Sequence, residues 1–98
     1  MRIALGQINT TVGDMAGNVA RMVNFAREAA GRRAEIVVFP ELAVTGYPPR
    51  DLMEKPSFLE CAERELARLA ELTAPLGITV VAGCIARSQA DIDRKSVV

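Results

Sequence analysis

Residues 36–51 read IVVFPELAVTGYPPRD. The opening run, residues 36–39, is too short for a helix, rich in β-branched side chains and apolar without alternation, the pattern of a parallel strand covered on both faces. Pro40 has no N–H to give a sheet ladder and ends the strand. The first charge beyond it, Glu41, therefore stands at the strand's carboxyl end. Residues 42–56 carry Gly46, Pro48, Pro49 and Pro56, which predicts an irregular loop running over the surface at that end.

Working outward toward the N-terminus, residues 2–8 (RIALGQI) form a short apolar run bounded by polar turn chemistry at 9–14, which suits a first strand. From Asn18, the apolar residues Val19, Met22, Val23, Ala26 and Ala30 recur at spacings of three and four, one face of an amphipathic helix. Asn18 is expected as its N-cap, and Gly31 with Arg32 and Arg33 supplies C-terminal chemistry. Toward the C-terminus, Ser57 with Glu60 three residues on is a capping-box signature opening a second helix. Its inner stripe is Leu59, Ala62, Leu66, Leu69 and Thr73, and Glu60, Arg64 and Arg68 predict a solvated face. Pro75 and Gly77 stop that helix, and residues 78–84 (ITVVAGC) read as a third buried strand. The β-α-β-α-β order with short connections predicts an α/β fold with right-handed crossovers and a parallel sheet.

The chain of 98 residues balances 12 Lys plus Arg against 12 Asp plus Glu. Nucleic acid and anionic membranes both call for a basic excess, so neither is expected as a partner. No stretch approaches the roughly 20 apolar residues of a membrane span, and Gln7 interrupts the N-terminus before a signal-peptide apolar region could form. The expected location is cytoplasmic. Cys61 and Cys84 lack the paired spacing of a metal or redox motif and read as reduced core thiols. The sequence has no histidine. Within this chain that excludes a Ser-His-Asp or Cys-His arrangement and a histidine-based zinc site, so no metal site is assigned and a base must be a carboxylate or a lysine. Residues 1–90 read as part of one domain, and residues 91–98 (DIDRKSVV) as an atypical charged tail with no partner element. Three strands and two helices leave a sheet edge and a layer face uncovered, so the chain is expected to belong to a larger fold.

In open α/β sheets, ligands gather outside the carboxyl ends of the strands, where the order of elements puts Glu41. Burial beside an apolar strand disfavours a charged carboxyl, so Glu41 needs a cationic or hydrogen-bonding partner, or serves as a proton acceptor. A glutamate that simply turns outward to water is the other reading of the same residues.

The stretch FPELAVTGYPPRDL, residues 39–52, resembles the glutamate motif of the nitrilase, or carbon–nitrogen hydrolase, superfamily. TGYPPRDL is similar, more narrowly, to the glutaminase domain of the glutamine-dependent NAD synthetases. The early ALGQINTTVGDMAGN and the later GITVVAGC are similar to that family's first strand with its helix start and to its third strand. The likeness covers about residues 1–86. It implies that the β-α-β-α-β unit is part of a nitrilase-like four-layer αββα sandwich. It also implies a glutamate general base, a lysine that stabilises the tetrahedral intermediate, and a cysteine that takes the acyl group from glutamine and releases ammonia. Glu41 alone stands on a matching motif position. The lysine and cysteine motifs lie further along the family pattern, and residues that contact substrate are not assigned.

Cys84, in VAGCIAR, lacks the acidic neighbour that follows the family's cysteine, Cys61 sits beside the helix stripe, and Lys95, in DRKSVV, does not match the family lysine. Tyr47 and Arg50 either line the pocket or face a partner domain, and Tyr47 alternatively packs over Pro48 and Pro49. The resemblance further implies glutamine as small-molecule substrate and a homo-oligomeric full-length parent. ATP, magnesium and deamido-NAD would be bound by a synthetase domain outside this chain, and the chain itself binds no cofactor and is silent alone. Two rival readings are a stand-alone carbon–nitrogen hydrolase acting on a nitrile, amide or carbamoyl compound, and an inactive truncated or partner-binding piece.

Overall fold

The structure, a computed structural model, describes residues 1–40, 42–46, 55–85 and 95–97, with residues 84, 85 and 95–97 described as backbone. Strand β1 (Ile3–Leu5), helix α1 (Met15–Gly31), strand β2 (Ile36–Val38), helix α2 (Pro56–Thr73) and strand β3 (Thr79–Val81) follow in the expected alternation. The three strands form one parallel sheet in the order β1-β2-β3, with Ala4 beside Val37 and Val37 beside Val80. Main-chain bonds from Gly6 to Val38 (2.7 Å) and from Phe39 to Val81 (2.9 Å) carry the ladder one residue past the strands. It stops at Pro40 for want of a donor.

Because both crossovers advance in the same direction, right-handedness puts both helices on one face of the sheet. The buried core follows from this. Met15, Val19, Met22, Val23 and Ala26 of α1 and Ala62 and Leu69 of α2 cluster with Val37, Phe39 and Ala82, while Ala4 and Val80 pack against them. The covering is one-sided, contrary to the two-sided burial expected of the strands. The alternate residues Ile3 and Leu5 are 55% and 65% exposed, and Ile36, Val38 and Val81 on the same face are half-buried.

Several local expectations are corrected. Helix α1 begins earlier than Asn18: Asp14 is its N-cap, and its side chain accepts from the Gly17 N–H at 3.2 Å. Gly31 ends the helix but is not its left-handed cap. Arg33 takes that conformation at φ 65, with Arg33 N–H donating to Ala30 and Ala34 N–H to Ala29, a Schellman closure. Helix α2 is capped from Lys55 with no side-chain bond, and Ser57 lies inside the first turn rather than ahead of it. Pro56 explains the shift: its fixed φ and missing N–H suit the first helical position, which moves the cap back to residue 55.

On α2, Arg68 is not simply solvated, since it pairs with Glu65 at 2.8 Å and donates to the Ala16 carbonyl of α1 at 3.1 Å. Beyond Thr73 a single 3-10 turn, Ala74–Leu76, leads to Gly77, where the sequence places its stop. The run expected as one third strand is divided. β3 ends at Val81, and β4 (Gly83–Ile85) pairs antiparallel with β5 (Lys95–Val97) in a separate two-stranded sheet. The charged tail therefore does have a partner element.

Candidate functional site

The carboxyl ends of β1 and β2 lie side by side, and the two loops that leave them meet above the sheet. Glu41 itself, like Tyr47 and Arg50, lies outside the described residues, as does the side chain of Cys84 and of Lys95. The residues on both sides of it, Pro40 and Leu42, are described.

On the strand side, Phe39 is buried and its ring stands edge-on to Phe25, centroids 5.9 Å apart. The Phe39 ring lies directly over Gly6 at the end of β1. A Cβ added at Gly6 would meet the ring Cδ1 at 2.4 Å and Cε1 at 2.6 Å, so only glycine allows this approach. On the loop side, Leu42 has φ 59, a left-handed backbone that costs a non-glycine residue energy unless its surroundings hold it. They do so here: Leu42 is 3% exposed and packs with Leu59 and Phe58 of α2. A strained residue immediately after the candidate base, clamped by burial, is the kind of conformation that accumulates at functional sites.

The first five residues of the loop expected on the surface, 42–46, are all buried. Ala43 and Val44 join the main core, and the Thr45 hydroxyl donates to the Gly46 carbonyl at 2.7 Å. Gly46 has φ 69, and a Cβ there would approach Val12 Cα and N at 2.9 Å, so glycine is required both by conformation and by contact with the β1–α1 loop. The Gly13 N–H donates to the Thr45 carbonyl at 3.1 Å. Asn18, read from sequence as a cap, instead lies fully buried between the loops. Its Nδ2 donates to the carbonyls of Thr11 at 2.8 Å and Val44 at 2.9 Å, and its Oδ1 accepts from the Thr11 N–H at 2.9 Å. The signal available in sequence was a polar residue on the buried stripe of α1, four positions before Met22.

The remaining candidates stand apart from this place. Cys61 is a free, half-buried thiol on α2, packed against the core. An apolar groove of about 550 Å³ between α2 and β3, lined by Leu66, Ala70, Thr73, Ile78, Val80 and Ala82 among others, brings little polar chemistry to a ligand. Among the described residues no three His, Cys, Asp or Glu side chains come together to hold a metal ion, and no helix is long and apolar enough to cross a membrane.

Comparison with known proteins bears on the same frame. The chain is 42% identical over 85 residues to the glutamine-dependent NAD(+) synthetase of Thermotoga maritima, a match covering 87% of this chain and 15% of that protein. The solved glutamine-dependent NAD(+) synthetase from Cytophaga hutchinsonii superposes with TM-score 0.83 at 30% identity, over 91% of this chain and 15% of that one. An amidase from Nesterenkonia sp. superposes with TM-score 0.83 at 25% identity, over 99% of this chain and 36% of that one. The chain thus spans about 15% of the length of the synthetases it matches. The carbon-nitrogen hydrolase model matches residues 2–98. A β-α-β-α-β unit with its glutamate motif at the carboxyl end of the second strand, matched from end to end by that model, belongs to the carbon-nitrogen hydrolase family.

Proposed function

We propose that this chain supplies the general base of a glutamine amidohydrolase whose ammonia feeds ATP-dependent NAD formation from deamido-NAD. The observation that carries the reading is the frame around position 41. The ladder ends at Pro40 and Leu42 is strained and buried, and this frame at the carboxyl end of a parallel strand, where ligands gather in open α/β sheets, supports reading the glutamate between them as the base. The synthetases of Thermotoga maritima and Cytophaga hutchinsonii, at higher identity than the amidase, favour glutamine as the amide.

In this mechanism the Glu41 carboxylate takes the proton of a cysteine thiol, and the thiolate attacks the amide carbon of glutamine. A lysine ammonium meets the developing oxyanion. The proton returns to the leaving nitrogen, ammonia departs, and water then cleaves the thioester to glutamate with Glu41 again as base. The cysteine and lysine belong to the part of the relatives that this chain does not match, and so do the residues for ATP, magnesium and the dinucleotide. The parent enzyme is read as a cytoplasmic homo-oligomer. The amidase likeness supports one second reading, a stand-alone hydrolase of simple amides.

The test is a full-length hybrid in which the part of this chain that matches the Thermotoga maritima synthetase replaces its counterpart in that protein. Glutamine-driven NAD formation comparable to ammonia-driven formation is expected. A hybrid that uses ammonia but cannot use glutamine contradicts the proposal, and one that hydrolyses aliphatic amides in preference to glutamine favours the second reading.

A further inference from the structure

We propose that Asn18 is a positioning residue for the site: it joins the loop after β1 to the turn after β2 and so fixes where the backbone beside Glu41 sits. This rests on the reading of Glu41 as base. Four hydrogen bonds engage the Asn18 amide. Nδ2 gives its two protons to Thr11 and Val44 carbonyls, and Oδ1 accepts from the Thr11 N–H and from Arg21 Nη1 at 3.0 Å. The full donor and acceptor capacity of the side chain is used, and reversing the amide would aim its oxygen at two carbonyls. Val44 lies three residues after Glu41, and only left-handed Leu42 and buried Ala43 intervene.

The helix itself has no use for a polar side chain among the buried residues of its first turn. Its N-terminus is already capped by Asp14. The buried amide is accounted for by what it holds, namely two loops with no sheet ladder between them. Arg21, ion-paired with Asp14 at 3.9 Å, closes the outer side of the same amide.

Asn18→Asp keeps the shape but replaces the Nδ2 donor with an oxygen facing the Thr11 and Val44 carbonyls, so the two loops part. Asn18→Ser is too short to span both. In the full-length hybrid, each variant is compared with the unmutated protein and with Glu41→Gln, and rates are divided by the number of sites labelled at completion by an electrophilic glutamine analogue. A displacement of about 1 Å costs on the order of 10²-fold in rate, so the expected result is a kcat for glutamine at least about ten-fold lower. KM for glutamine and ammonia-driven turnover should be little changed.

A kcat per labelled site within about two-fold of the unmutated protein in both variants overturns the proposal, whatever their stability. Loss of all labelled sites in both also overturns it, because that assigns Asn18 to folding. The two readings fail separately. Full glutaminase activity in Glu41→Gln removes the base, whereas an inactive Glu41→Gln beside normal Asn18 variants removes only the positioning role.

Discussion

Gly6→Ala tests the contact that seats the end of β2. The new methyl would stand 2.4 Å from Phe39 Cδ1, while non-bonded carbons prefer about 3.5–4.0 Å. A movement of about 1 Å is therefore forced on one partner. The ring has little freedom to supply it, being 4% exposed, edge-on to Phe25 and anchored through the Phe39 N–H to Val81. Withdrawing the backbone at residue 6 instead stretches the 2.7 Å bond from Gly6 to Val38. Overpacking of this kind costs about 1–3 kcal/mol.

Phe39 is two residues before Glu41, so glutamine turnover should fall together with the urea midpoint, measured on the full-length hybrid. The double variant Gly6→Ala with Phe39→Leu should recover part of the stability, because the smaller side chain makes room. A Gly6→Ala protein with unchanged midpoint and turnover, or a double variant whose losses simply add, would refute the contact as the cause.

Three further outcomes are expected. Leu42→Met keeps an apolar side chain without branching at Cβ and should cost less than about 1.5 kcal/mol, whereas Leu42→Val adds β-branching at a left-handed backbone, with strain of about 1–3 kcal/mol on top; equal urea midpoints would contradict the strain. The 98-residue chain by itself should self-associate through the uncovered sheet face. Covering Ile3 and Leu5 contributes about 2–4 kcal/mol per chain, against an association cost of about 4–15 kcal/mol, so the association is weak and Leu5→Lys abolishes it. Sedimentation that shows a monomer at every concentration would contradict this. The same purified chain should release no ammonia from glutamine, since a base without its nucleophile and oxyanion partner achieves little.

The sheet was legible because its information is local. Three short apolar runs, two helical stripes and Pro40 each specify their element without help from distant residues. The cap assignments failed where neighbours competed: Pro56 took the first helical position and so put Ser57, expected as the cap, inside the first turn, and Asp14 was better placed than Asn18 to accept from Gly17. What Asn18 does depends on Thr11 and on Val44, 26 residues away, a meeting that no periodicity encodes. Burial of residues 42–46 escaped notice for a related reason. Their glycine and proline neighbours signal a loop, but only the packing of Leu42 against α2 and of Gly46 against Val12 draws it inward. The one-sided covering of the sheet was likewise hidden, since strands that look buried on both faces do not say which layer lies within the chain.

The most direct test of the account is the ratio of glutamine-driven to ammonia-driven NAD formation in the full-length hybrid carrying Glu41→Gln. The substitution keeps size and most hydrogen bonding while removing the base. The ratio should fall by about 10²-fold or more with ammonia-driven synthesis intact; a ratio equal to that of the unmutated hybrid would contradict the assignment of Glu41 as the base.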